Sequence, residues 1–173
     1  IDQKYANEFR NIKNQIPDTS SRHDSSTEHV VTRQELEKQF DSWWGSLSTI
    51  EKGVFLQEQH DKICRELGIP PTKIYIADLK DTEILNYTLL DSIGGYDPDQ
   101  NIIVIDIDNL NNDDPTAMLD VIAHETRHKF QWESAVEWRE TGKIPSGVSE
   151  DTIKKWAWEL DDENYIGGSI WHF

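Results

Sequence analysis

The chain has 173 residues, enough for one domain with its own hydrophobic core. Its 33 acidic against 17 basic side chains give a net charge of −16, which disfavours nucleic acid or an anionic membrane as the main partner. Nothing approaches the roughly 18 continuous apolar residues of a membrane span, and the single cysteine, Cys64, excludes an internal disulfide.

The first residue is Ile1 and the only methionine is Met118, so the chain reads as a processed or excised part of a longer protein. Residues 1–16 carry Tyr5, Phe9, Ile12 and Ile16 at helical spacing. The stretch to residue 31 is rich in Ser, Thr and Asp, which makes 1–31 an N-terminal extension ending in a polar linker. His23 and His29 fall in or beside that linker and are expected to be solvated. Residues 32–173 form the second unit.

Thr32 to Glu35 is a capping-box pattern that opens a helix to Gly45. Ser48 to Glu51 is another and opens a helix to about Leu67, which Gly68 and then Pro70-Pro71 terminate. His60 and Cys64 lie on or beside the apolar stripe of that helix and are expected to be a satisfied histidine and an inert core thiol. Lys73 to Ala77 is a strand, and the apolar runs between Glu83 and Ile93 are candidates to pair with it. Gly94 to Gln100 is dense in turn residues. Within it, Asp97 to Asn101 looks like the start of a calcium loop. Ile102 replaces the glycine that an EF-hand requires and Asp108 its closing glutamate, so a polar turn is expected. Asn101 to Ile107 is the clearest strand, with a free edge expected to accept an extended peptide by strand addition, and Asp108 to Asp114 an acidic loop.

Asp113 or Asp114 then caps a helix with Pro115 in its first turn and Gly142 at its stop. On it lies His124-Glu125-Thr126-Arg127-His128, an H-E-x-x-H pattern. Four residues turn a helix by about 400°, so both imidazoles leave the same face one turn apart and can bind one metal ion. Glu125, about 100° round the axis, can then serve as general base toward metal-activated water. Gln131 falls on the same face and is expected in the cleft wall. Ser149 or Asp151 caps a last helix to about Ile166, whose face of Ile153, Trp156, Ala157 and Leu160 must pack inward. Trp132, Trp138, Trp156 and Trp158 are read as core or cleft wall.

A catalytic zinc wants three protein ligands and one open position. Metzincins take the third from a histidine six residues past H-E-x-x-H, but position 134 here is Ser and position 131 is Gln rather than Gly. A carboxylate on the last helix is the alternative, where Glu159, Asp161, Asp162 and Glu163 are available. Asp161 or Asp120 is a candidate to orient a ligand histidine from behind. Tyr165, Tyr96 and His172 are candidates for a second oxyanion donor.

The run from His124 to Gln131, followed some thirty residues on by Trp158-Glu159-Leu160-Asp161, resembles small bacterial and phage gluzincin-type metallopeptidases. These include the ImmA/IrrE-like peptidases and the peptidase domains of polymorphic toxins. The resemblance covers about residues 73–166. It implies an α+β, zincin-like fold, with a small, mostly antiparallel sheet on the H-E-x-x-H helix, N-terminal helices and a C-terminal helix. It also implies zinc as cofactor, His124, His128 and Glu159 as ligands, and Glu125 as base. Asp162 stands where that family usually has Ala, so Glu163, one turn later, is the second candidate for third ligand. The implied activity is peptide-bond hydrolysis by a secreted or toxin-type effector, delivered as part of a larger bacterial protein. Its partners would be a protein or peptide substrate and a cognate inhibitor or immunity protein. Two rival readings use the same residues: a catalytically inactive metal-binding domain acting as a protein-interaction module, and a helical module in which the motif is accidental.

Overall fold

A computed structural model of the chain describes residues 32–79 and 93–161. In order, the described elements are α1 (Arg33–Ser46), α2 (Thr49–Leu67), β1 (Lys73–Ala77), β2 (Gly94–Asp97), β3 (Ile102–Asp106), α3 (Ile107–Asn112), α4 (Pro115–Thr141) and α5 (Glu150–Glu159). This is an α+β arrangement, and no described helix is long and apolar enough to cross a membrane.

Local chemistry sets most boundaries. The Ser48 side chain accepts from the Glu51 N–H while the Glu51 carboxylate accepts from the Ser48 N–H at 2.8 Å, a complete capping box at the start of α2. Gly68 ends that helix at φ 71°, a left-handed conformation that a residue without Cβ adopts freely. Asp114 caps α4 by accepting from the Ala117 N–H at 2.9 Å, Pro115 occupies the first turn, and Gly142 closes it at φ 74°.

The sheet has the order β1-β3-β2. β1 runs parallel to β3, with Tyr75 opposite Val104, and β2 runs antiparallel, with Gly95 opposite Val104. The sheet is therefore mixed, not mostly antiparallel. β3 is its centre, so the free edge expected for substrate at β3 does not exist. The outer strands among the described residues are β1 and β2.

Three other expectations change. Gly94 to Asp97, expected as a turn, is a strand, and the turn begins only at Pro98. The acidic stretch after β3 is the short helix α3, because the Asp106 carboxylate accepts from the Asn109 N–H at 3.1 Å and caps it. The last described helix ends at Glu159 rather than near Ile166. The apolar runs between Glu83 and Ile93 lie outside the described residues except for Ile93, as does the whole N-terminal extension.

Two apolar clusters share α4. Met118 and Ile122, from its N-terminal half, pack with Ile103 and Ile105 of β3, Leu110 of α3, Phe55 and Leu56 of α2, and Trp44 of α1. Ala135, one to two turns beyond the motif, packs with Ile153 and Ala157 of α5, with Trp138, Trp156 and Leu160 alongside. Burying the Met, Leu, Ile and Phe side chains contributes roughly 1.5–3 kcal/mol each, and both clusters together fix α4 at both ends. The H-E-x-x-H turn lies between the two anchored halves.

Candidate metal centre

Glu125, Thr126 and Lys129 continue the sheet-facing side of α4 and are buried. His124 is one position off that face and exposed, while His128 is half-buried. The two imidazoles meet with Nε2 to Nε2 at 2.8 Å. At that separation one ring donates to the other through a single shared proton. With the Glu125 carboxylate they form a group whose ligand atoms all lie within 4.8 Å of one another, and this group could hold a metal ion. Neutral imidazole and carboxylate suit a divalent transition metal.

Glu125 is only 7% exposed. Burial disfavours its charged form and pushes its pKa up to about 7, against a smaller pull downward from the Tyr96 backbone. A carboxyl tuned to that range accepts and releases protons near neutral pH, as a general base must.

Glu159 is also buried, at 6% exposure, at the C-terminal end of α5. Its ion pair is with the half-exposed Lys155 ammonium at 4.0 Å, and burial raises its pKa. It is not among the atoms within 4.8 Å of one another, so the described cluster contains two imidazoles and Glu125. Gln131 is 3% exposed, and its Oε1 has no hydrogen-bond partner among the described residues. Seven residues past His124, it leaves an unused acceptor on the same helix face.

Asp161 is bound to Arg139 at 2.8 Å, which joins the end of α5 to the C-terminal part of α4, away from the histidines. Tyr96 donates its hydroxyl to Asn101 Oδ1 at 3.2 Å, so that hydroxyl is engaged by the exposed turn next to it. Trp158 is 56% exposed, unlike the half-buried Trp138 and Trp156. Glu163, Tyr165 and His172 lie outside the described residues.

His60 stands apart from the cluster and is fully buried. Its Nδ1 meets Thr126 Oγ1 at 2.8 Å, and that hydroxyl donates to the Ile122 carbonyl at 2.6 Å. Its Nε2 accepts from the Thr72 N–H at 3.0 Å. These partners require a neutral ring protonated on Nδ1, a structural histidine tying α2, α4 and the approach to β1 together. Cys64 Sγ lies 3.5 Å from His60 Nε2, an i, i+4 pairing not read from the sequence. Burial pushes the Cys64 thiol up to about 11, so this pair supplies no thiolate. The calcium-like loop is the expected polar turn: Asp97 Oδ1 accepts from the Asp99 and Gln100 N–H groups at 2.8 and 3.1 Å.

No known family model, curated protein or solved structure matches this chain.

Proposed function

We propose that this chain is a zinc-dependent peptidase of the gluzincin type, with a zincin-like fold, in which His124 and His128 hold the metal and Glu125 is the general base. The observation that carries this reading is the convergence of two Nε2 atoms and a buried carboxylate from adjacent turns of one helix. Bound there, zinc supplies Lewis acidity toward a carbonyl and acidifies water. Glu125 receives the proton at its carboxylate and delivers it to the leaving amine.

Glu159 is the third ligand in this reading. Its support is a nearly desolvated carboxylate whose ion pair is a loose 4.0 Å contact, since such a group is costly to leave charged without a close cation. Gln131, with its unused buried acceptor, lines the cleft on the histidine side. The single cysteine, Cys64, is sealed in the core, which disfavours hydrolysis through a thiolate.

The test is cleavage of a proteome-derived peptide library by the zinc-loaded chain and by its Glu125→Gln variant. The variant should keep about one zinc and lose about 10²–10⁴-fold in rate, the usual contribution of a positioned base. A variant that cleaves as fast as the parent removes Glu125 from the mechanism. A zinc-loaded parent that cleaves nothing while binding a partner protein favours the interaction-module reading.

A further inference from the structure

α2 buries a stripe made of Lys52, Phe55, Leu56, His60 and Cys64. Lysine is the member of that stripe that local chemistry argues against. It sits near the start of the helix, where the positive end of the macrodipole disfavours a cation, and burial disfavours its ammonium further. Lys52 is nevertheless only 5% exposed. The chain holds 33 acidic side chains against 17 basic ones, so carboxylates are in surplus. Yet among the described residues none pairs with Lys52 Nζ.

What Nζ does face is Trp44 of α1, whose ring centroid lies 5.1 Å away. The face of an indole attracts a cation, but the indole N–H lies in the ring plane and gains nothing from that contact. Trp44 is 3% exposed, and its Nε1 has no hydrogen-bond partner among the described residues. Two buried donors, one of them charged, therefore lie side by side with their bonds unspent. Phe55 packs edge-on against Trp44 at 5.9 Å and Trp43 lies 6.5 Å from it, so the surroundings are apolar and screen charge weakly.

A buried donor is costly to leave unmatched, and the partner that suits this pair is an anion. A carboxylate fits best. Its two oxygens accept one bond each at about 2.8 Å and so span donors up to about 7 Å apart. A phosphate would bring further oxygens with no donor to meet them, and more charge against the field of a chain at −16. With so little of either side chain exposed, only a small group can reach them.

We propose that Lys52 and Trp44 form a binding site for one carboxylate group, held between the ammonium and the indole N–H and walled by Phe55 and Trp43. The site is independent of the reading of His124, Glu125 and His128.

The experiment titrates sodium acetate into the isotope-labelled full chain and follows the indole N–H resonances, with sodium chloride at equal ionic strength as control. Trp44 is one of seven tryptophans, and its signal is assigned by its loss in Trp44→Phe, or through bonds in the parent if that variant does not fold. The Trp44 signal should shift downfield and saturate, with half-saturation at about 1–10 mM acetate, while the others move little. Lys52→Met, which keeps the apolar stem, should weaken acetate binding by about tenfold or more. A blocked Gly-Glu-Gly peptide separates the sources. A response at least as tight as that to acetate assigns the site to a glutamate side chain from another polypeptide segment, and a weaker response or none assigns it to a free small carboxylate. A Trp44 signal that follows chloride as it follows acetate, or equal titrations in the parent and Lys52→Met, would overturn the site. Saturation by phosphate but not by acetate would overturn its carboxylate character. If Lys52→Met does not fold, the comparison of acetate with chloride and phosphate decides alone.

Discussion

His60 and Glu125, both buried, respond to pH in opposite senses. Burial lowers the His60 pKa and Lys129 pushes the same way, while Asp61 opposes them. With the folded value below the unfolded one of about 6.5, the unfolded chain binds more protons in that window. The stability from neutral His60 is therefore complete above about pH 6.5 and is lost as pH falls toward the folded value. Glu125 has its folded value raised, so in the metal-free chain its contribution is complete below about pH 4.5 and is lost as pH rises through 7. Comparing His60→Gln with the parent by urea unfolding cancels the Glu125 part. The variant should be less stable by about 1–3 kcal/mol at pH 7.5, from buried partners left unsatisfied. The gap should narrow as pH falls below 6.5, and a gap constant from pH 5 to 8 would contradict the neutral ring. From sequence, His60 was readable as a satisfied histidine because it rides an apolar helical stripe. Its partners, Thr126 and the Thr72 N–H, come from 66 and 12 residues away, and no local pattern carries such pairings.

Elements with strong end signals are legible in this chain. α2 and α4 start and stop where Ser48, Gly68, Asp114 and Gly142 say they should, and β1 spans the expected Lys73 to Ala77. β2 was hidden because glycine reads as a turn residue, and here Gly94 is used for close packing. A Cβ there would lie 2.8 Å from Ile105 Cδ1, 2.9 Å from the Val104 carbonyl oxygen and 3.1 Å from Val121 Cγ1. The glycine lets α4 approach the strand that carries Tyr96. Gly94→Ala should therefore destabilise the fold by about 1–3 kcal/mol, since backbone as well as side chains must give way. A lowered urea midpoint with an unchanged slope checks this, and a parental midpoint would show that the strand accommodates the methyl group. The parallel β1–β3 pairing was equally hidden, because strand order depends on where a connection crosses the sheet rather than on any residue in the strands.

At the scale of the whole molecule, α4 is shared between two apolar clusters, and the residues that could hold a metal occupy the turn between them. That half of the centre was legible, since a spacing of four on one helix fixes where two imidazoles go. Glu159 of α5, the proposed third ligand, is not among those atoms, and its distance from the histidines depends on how two helices pack rather than on the sequence between them. A metal bound only by the folded chain must also stabilise it, by about 2.7 kcal/mol at a free concentration of 100 times Kd. Thermal unfolding should shift upward with zinc in the parent and in Glu125→Gln, but not in His128→Ala. Metal stoichiometry at micromolar free zinc for the parent, His124→Ala and Glu159→Gln tests the metal site without any assay of turnover. The parent should bind about one zinc per chain, His124→Ala almost none, and Glu159→Gln should bind it about tenfold or more weakly. A parent that binds no zinc, or a His124→Ala variant that binds as much as the parent, would contradict it.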